Sequence, residues 1–296
     1  MNSTLCIAGA ALRISTQLEL YYPEEAGPTA QFARKSASTA DINIAVEVRP
    51  GTRNDFDGMK LVAEAESAWR LVDDGDDQWF VSAFKLEGMP AWAARMGPRC
   101  NSIMVECNSA IENGYGRSAS PLIYPLDQLL MIHIMATRRG LLVHGSGIMK
   151  DGKAVVLAGV SGAGKTTVSS LIDGTPGLEL LSDDRVFIRE QNGRMMVYGT
   201  PWPGEGGYAL NEGAELCGLG FLKHGDSDEV IPMESNTGFE RLMPVSSVPW
   251  YDEELMTSVV EFAGGIVSGV PVYDFVFSKD GNAADLVESM IGENKG

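Results

Sequence analysis

The chain has 296 residues, 44% of them hydrophobic and 21% charged. That composition supports one large domain or two ordinary ones and argues against disorder. Forty acids against 23 bases leave a net charge of −17, which argues against nucleic acid or an anionic membrane as the main partner, because both need basic patches. No run of about eighteen apolar residues occurs, so no membrane span is expected.

The opening segment, MNSTLCIAGAALRIST, has no basic stretch and is interrupted by Arg13. It reads as the first strand of a domain rather than a secretory signal. Strict alternation in Asp41–Arg49 puts Ile42, Ile44, Val46 and Val48 on one face of a strand. Trp69–Val72 and Trp79–Phe84 flank Asp73-Asp74-Gly75-Asp76-Asp77. This is a hairpin whose acidic tip is a solvated turn rather than a metal site. Ile103–Glu106 adds a short strand. The small, polar stretch Gly114-Tyr115-Gly116-Arg117-Ser118-Ala119-Ser120-Pro121 marks a boundary. The expected division is a β-rich domain over 1–118 and a second domain over 119–296.

Beyond the boundary, Leu126–Thr137 is apolar at helical spacing, with Asp127 in its first turn and Arg138-Arg139-Gly140 closing it. His133 falls inside this helix as a packing residue. Leu141–Met149 and Ala154–Ala158 are joined through Asp151-Gly152, the strongest short hairpin signal. That turn pairs Lys150 with Lys153, and the register carried along the strands sets His144 opposite Gly159. Leu178–Leu181 is a buried strand ending in Ser182-Asp183-Asp184. Val186–Arg189 and Met195–Tyr198 form a hairpin around Asn192-Gly193. Gly218–Leu222 and Val272–Phe277 are further strands, and Glu253–Phe262 and Ala283–Ile291 are helices.

The four cysteines, Cys6, Cys100, Cys107 and Cys217, form no C-x-x-C pair, and only three histidines are present. A structural zinc site is not expected. The cysteines read as small buried hydrophobes in a reduced, cytoplasmic protein.

The sharpest motif is Gly159-Val160-Ser161-Gly162-Ala163-Gly164-Lys165-Thr166, a full G-x-x-x-x-G-K-[ST] match. An apolar strand precedes it and an apolar-periodic helix follows it, as a phosphate-binding loop requires. Glycine lets the backbone wrap an anion, and successive N–H groups at the helix N-terminus meet the phosphates. The nucleotide-contacting set is Gly159, Ser161, Gly162, Ala163, Gly164, Lys165, Thr166 and Thr167. Lys165 bridges β- and γ-phosphate oxygens, and the Thr166 hydroxyl meets Mg²⁺. ATP and Mg²⁺ are the expected small molecules. An acid at the end of the next strand, Asp183 or Asp184, can hold a metal's water shell or accept a proton. His144, set at the mouth of the loop by the hairpin register, can bond a phosphate oxygen or orient the aspartate.

The segments LLVHGSGI, VVLAGVSGAGKTT and ELLSDDRVFI resemble, in order and spacing, the catalytic domain of bacterial HPr serine kinase/phosphorylase, which is related to ATP-dependent phosphoenolpyruvate carboxykinase. The resemblance implies an α/β fold with a P-loop kinase core of that type beside the β-rich N-terminal domain. It implies Lys165 as the phosphate-loop lysine and Thr166 in place of a magnesium-binding serine; Asp184 is the aspartate expected at the metal. Asp183 would be the base toward the acceptor hydroxyl, and His144 the supporting histidine. The family's Glu-Ile-Arg-Gly segment is absent, and Val197–Glu205 stands in its place, with Glu205 as the substitute acid. That stretch, with Gly220–Gly225, is more similar to HPr kinase-related proteins, including kinases of serines on ribosomally made peptides such as lasso-peptide precursors.

The expected function is transfer of the ATP γ-phosphoryl group to a hydroxyl, most simply a serine of a peptide or small protein. No nucleic-acid or membrane partner is expected, and homo-oligomerisation is left open. A small-molecule kinase, a carboxykinase-like enzyme and a non-catalytic nucleotide-dependent module are the alternatives. Three histidines leave little room for a carboxykinase's additional metal ligands.

Overall fold

The computed structural model describes residues 2–22, 27–34, 40–51, 55–65, 67–108, 117–279 and 281–292. Gly114–Gly116 of the expected boundary lie outside the described residues. The chain divides by its internal contacts into two compact units, Met1–Ile134 and Met135–Gly296. This division falls inside the helix Leu126–Ala136, further along the chain than the boundary expected after Ser118.

The first unit is β-rich. A nine-stranded sheet runs in the order 33–34, 2–7, 10–16, 42–50, 102–107, 92–96, 78–82, 69–73 and 60–65. The opening segment forms two strands rather than one. Ala8 and Gly9 both take positive φ, 50° and 73°, and turn Asn2–Ile7 back against Ala10–Thr16, with Ile7 paired to Ala10. Alternation in Ile42–Pro50 buries Ile44, Val46 and Val48, while Ile42, expected on the same face, is only partly buried. The acidic hairpin also forms, Asp73 pairing with Gln78. Its carboxylates satisfy their own turn: Asp73 accepts from Gly75 N–H at 2.8 Å, and Asp74 from Asp76 and Asp77 N–H at 3.1 and 2.9 Å. His133 is a buried helix residue. A ring nitrogen lies 2.8 Å from the Leu129 carbonyl, and the ring packs edge-on against Phe80.

Elements of the second unit are numbered from its own first strand. They are β1 (Gly140–Lys150), β2 (Lys153–Ala158), α1 (Lys165–Ile172), β3 (Glu179–Ser182), β4 (Arg185–Gln191), β5 (Arg194–Gly199), β6 (Gly213–His224) and β7 (Glu229–Met233). Then follow α2 (Ser235–Leu242), β8 (Ser246–Ser247), α3 (Glu253–Gly269), β9 (Val272–Phe277) and α4 (Ala283–Gly292). One mixed sheet takes the order β2-β1-β4-β5-β6-β9-β7, with β3 and β8 added on β1. Because β2 also pairs with β6, in parallel, the strands β1, β2, β6, β5 and β4 close on themselves. Closure removes the unpaired edges that an open sheet leaves.

Strands β2, β6 and β9 are parallel neighbours, with Ala158 beside Phe221 and His224 beside Phe277. Their carboxyl ends therefore emerge together, the usual place for a ligand in a parallel sheet. One core packs Val156, Val186, Val197 and Phe221 against Phe262 and Ile266 of α3. A second packs Leu157, Phe275 and Phe277 against Val168 and Ile172 of α1 and Val287 and Met290 of α4. Helix α3 is capped by Asp252, which accepts from Leu255 N–H at 2.9 Å, with Glu253 and Glu254 in the first turn.

Candidate active site

The Asp151-Gly152 turn sets the site. Both residues take positive φ, 51° and 77°, as a two-residue hairpin turn with the strands' own twist demands. Lys150 pairs with Lys153, and the register runs unbroken to Gly145 opposite Ala158. One step on, Gly159 N–H donates to the His144 carbonyl at 3.2 Å. The expected juxtaposition of His144 with the first residue of the loop is therefore present, and His144 also pairs with Arg185 on β4.

From Gly159 the chain leaves β2, wraps through Ser161 and Gly162, and enters α1 at Lys165. Gly162 and Gly164 take positive φ, 82° and 99°, which glycine alone adopts at little cost. A Cβ on Gly164 would lie 2.5 Å from Phe277 Cζ and 2.9 Å from His224 Cε1. The loop is thus pressed onto the ends of β6 and β9. Ser161, Gly162, Thr166 and Thr167 are exposed. Lys165 is 7% exposed, and its ammonium donates to the Gly159 and Val160 carbonyls at 2.9 and 3.1 Å. Burial pulls the Lys165 pKa down. Asp184 opposes that, Arg185 reinforces it, and Asp183 opposes it again.

The two aspartates after β3 have different surroundings. Asp184 is partly exposed. Its Oδ1 lies 2.6 Å from His144 Nε2 and its Oδ2 3.4 Å from Arg185 Nε. Arg185 also donates to the Ser247 hydroxyl of β8 at 3.2 Å. Burial pushes the Asp184 carboxyl up, but the His144 hydrogen bond and charge, with Arg185 and Lys165, outweigh it and hold the carboxyl below the ordinary range. Asp183 is 1% exposed. Its Oδ1 accepts from Gly204 N–H at 2.9 Å and its Oδ2 from Gly206 N–H at 2.7 Å. Its own carbonyl accepts from the Ser146 hydroxyl at 3.1 Å, and that hydroxyl lies 3.1 Å from Ser169 Oγ of α1. One serine thereby ties strand, helix and acidic turn together.

The structure brings His144, Asp184 and the Lys165 loop to one end of the sheet and turns the Asp183 carboxylate to the 204–206 backbone. Arg185, Ser247, Gly204 and Gly206 were not singled out as site residues in the sequence; Glu205, between the two glycines, was expected there as the substitute acid. Only the run Gly204-Glu205-Gly206-Gly207 carried a local signal, that of a backbone approached closely.

The family model "SynChlorMet cassette protein ScmC" matches residues 122–291, more than half of the chain. The chain belongs to this family. The ScmC span holds the G-x-x-x-x-G-K-T motif, the His144–Asp184 pair and the glycine segment that binds Asp183. No curated protein matches the chain. Among solved structures, the Hpr(Ser) kinase/phosphatase from Coxiella burnetii matches at 13% identity over 52% of this chain and 90% of that chain, with a TM-score of 0.29.

The residues present suit a triphosphate and Mg²⁺. Exposed loop backbone and a helix N-terminus offer N–H donors beside a lysine. Among the described residues no three His, Cys, Asp or Glu side chains converge on one metal. A magnesium ion here would depend on Thr166, a carboxylate and phosphate oxygens, the usual way this ion is held.

Proposed function

We propose that this ScmC-family chain is an ATP-dependent phosphotransferase acting on an alcohol, a serine of a peptide or small protein. The observation that carries this reading is the 2.6 Å His144–Asp184 pair at the mouth of the G-x-x-x-x-G-K-T loop. A phosphate loop alone fits any nucleotide-binding role. A partly exposed carboxylate held beside it by a histidine adds a proton acceptor. The resemblance of the His144–Asp184 span to the HPr kinase/phosphorylase family supports the same reaction class.

In this reading the loop N–H groups from Ser161 to Lys165 hold the β- and γ-phosphates. Lys165 leaves its two carbonyl partners to neutralise them. Thr166 and the phosphate oxygens would hold Mg²⁺, whose charge would neutralise the phosphates. Asp184 takes the acceptor hydroxyl proton through Oδ2, the oxygen beside Arg185, while His144 holds Oδ1. The serine oxygen bonds to the γ-phosphorus as the bond to the β-bridging oxygen breaks, and ADP leaves. This moves the expected base from Asp183 to Asp184, because the Asp183 carboxylate is buried under two amides.

The test is calorimetry with Mg-ATP, followed by transfer from radiolabelled ATP to a serine-centred peptide library. ATP consumption only with peptide present supports the kinase. Consumption without it makes the chain a nucleotide hydrolase or sensor.

A further inference from the structure

The bonds at Asp183 join the acidic turn to a distant segment. Gly204 and Gly206 each give their N–H to one oxygen of the same buried carboxylate. A Cβ on Gly206 would sit 2.7 Å from Asp183 Oδ2, and one on Gly204 only 3.1 Å from Asp184 Cβ. The segment therefore lies directly against the residue that pairs with His144. Its flanks are fixed as well. Trp202 packs edge-on against Phe187 of β4, Ala209 bridges to Ser182, and Leu210 N–H donates to the Leu181 carbonyl at 2.9 Å. Asp173, at the end of α1, raises the Tyr208 phenol pKa. Between these anchors, Gly204, Gly206 and Gly207 carry no side chain, and Glu205 is exposed. A lip whose Gly204, Gly206 and Gly207 amides are already bonded, and which offers the single acidic side chain Glu205, stands beside the proposed reaction centre.

We infer that Asp183 is a positioning residue that clasps the lip Pro203–Tyr208, and that the lip selects the acceptor, Glu205 reading a basic residue close to the serine in an extended peptide. This rests on the kinase reading for its acceptor, but not for the clasp. The Gly204, Gly206 and Gly207 amides are committed to Asp183 and to the Gly204 carbonyl, so selection by the lip falls on the exposed Glu205 side chain. A cationic acceptor also suits a chain of net charge −17.

The experiment uses the full chain, Mg-ATP and two serine-centred peptide libraries, one with lysine and arginine around the serine and one with aspartate and glutamate. The wild type is expected to prefer the basic library, and Glu205→Gln to lose about tenfold in kcat/KM on it with turnover on a neutral serine peptide kept. Asp183→Asn and Gly206→Ala are expected to behave alike. Both should quicken hydrogen exchange at the Gly204 amide, and Asp183→Asn at the Gly206 amide too. Both should raise KM for the basic peptides severalfold and leave ATP affinity unchanged. Gly206 has no positive φ, so the added methyl acts through its collision with Asp183 and Tyr208.

The proposal is overturned if Asp183→Asn loses kcat about a hundredfold with exchange unchanged, which would make Asp183 the base. A preference for acidic peptides, or loss of Mg²⁺-dependent turnover in Glu205→Gln, overturns the role of Glu205. Mg-ATP binding without transfer to any peptide overturns the kinase reading and Glu205 with it. The clasp is then judged by amide exchange alone.

Discussion

His144 Nε2 lies 2.6 Å from Asp184 Oδ1, and the His144 carbonyl accepts from Gly159, so one residue joins the acidic turn to the Gly159–Thr166 loop through both its side chain and its backbone. The imidazole is partly exposed, and its removal leaves little void. His144→Ala is therefore expected to lower phosphoryl transfer by about 10²–10³-fold, with ATP affinity within a few-fold of wild type and little change in melting temperature. His133→Ala is the contrast. That ring is 4% exposed and packed on Phe80, so the change should cost about 2–4 kcal/mol of stability with kcat unchanged. Turnover and denaturant curves on both variants decide the matter; wild-type turnover in His144→Ala would return it to a structural strand residue.

Lys165 and Asp184 influence one another directly. Lys165→Ala removes the one cation inside the loop and is expected to abolish measurable Mg-ATP binding or turnover. Asp184→Asn keeps the loop and should hold nucleotide affinity within a few-fold while turnover falls by about 10² or more. Calorimetry beside single-turnover transfer separates the two. Equal ATP affinity in wild type and Lys165→Ala would remove the basis for the nucleotide site.

The loop glycines differ in what surrounds them. Gly164 combines φ of 99° with contact positions on Phe277 and His224, whereas a Cβ on Gly162 meets nothing within 4 Å. Gly164→Ala should thus cost well over about 1 kcal/mol and lose Mg-ATP binding. Gly162→Ala bears only the strain of positive φ and should retain weakened binding. Thermal shift with and without Mg-ATP reads both, and equal behaviour of the two variants would show that the packing under Gly164 is compliant.

Local chemistry made much of this fold legible. Asp-Gly at 151–152 fixed a register that reached His144, and the alternation at Ile42–Val48 named a buried face, because turns and pleats are written in neighbouring residues. The helix over Glu253–Gly269 ran past its expected end at Phe262 because Gly264 and Gly265 look like a stop; Ile266 and Val267 hold it in the core instead. Helix α2 begins at Ser235 without a side-chain cap, so no start signal announced it. Strand β6 is twelve residues rather than five, since its pairing with β2, β5 and β9 decides its length. The different surroundings of Asp183 and Asp184 could not be read locally. They depend on Gly204 and Gly206, reached only after the β4–β5 hairpin has folded back.

Asp228 offers a test of stability through pH alone, away from the site. Its Oδ1 accepts from Ser278 N–H at 2.7 Å and from the Ser278 hydroxyl at 3.0 Å, and its Oδ2 from Asn282 N–H at 2.8 Å. These bonds hold the turn between β9 and α4, and a Cβ on Gly281 would collide with the carboxylate. The Ser278 and Asn282 amides keep the carboxyl below the ordinary value, against a small upward push from burial. A carboxyl whose folded pKa is depressed adds stability above its unfolded pKa of about 3.9, and that contribution is lost as pH falls through the folded value. Asp228→Asn should therefore melt below wild type by a constant margin above about pH 5, and the two curves should converge in acid. Melting temperatures of both proteins between neutral and strongly acidic pH provide the check. A margin that stayed constant into acid would mean that the loss comes from shape at the turn rather than from the charge of Asp228.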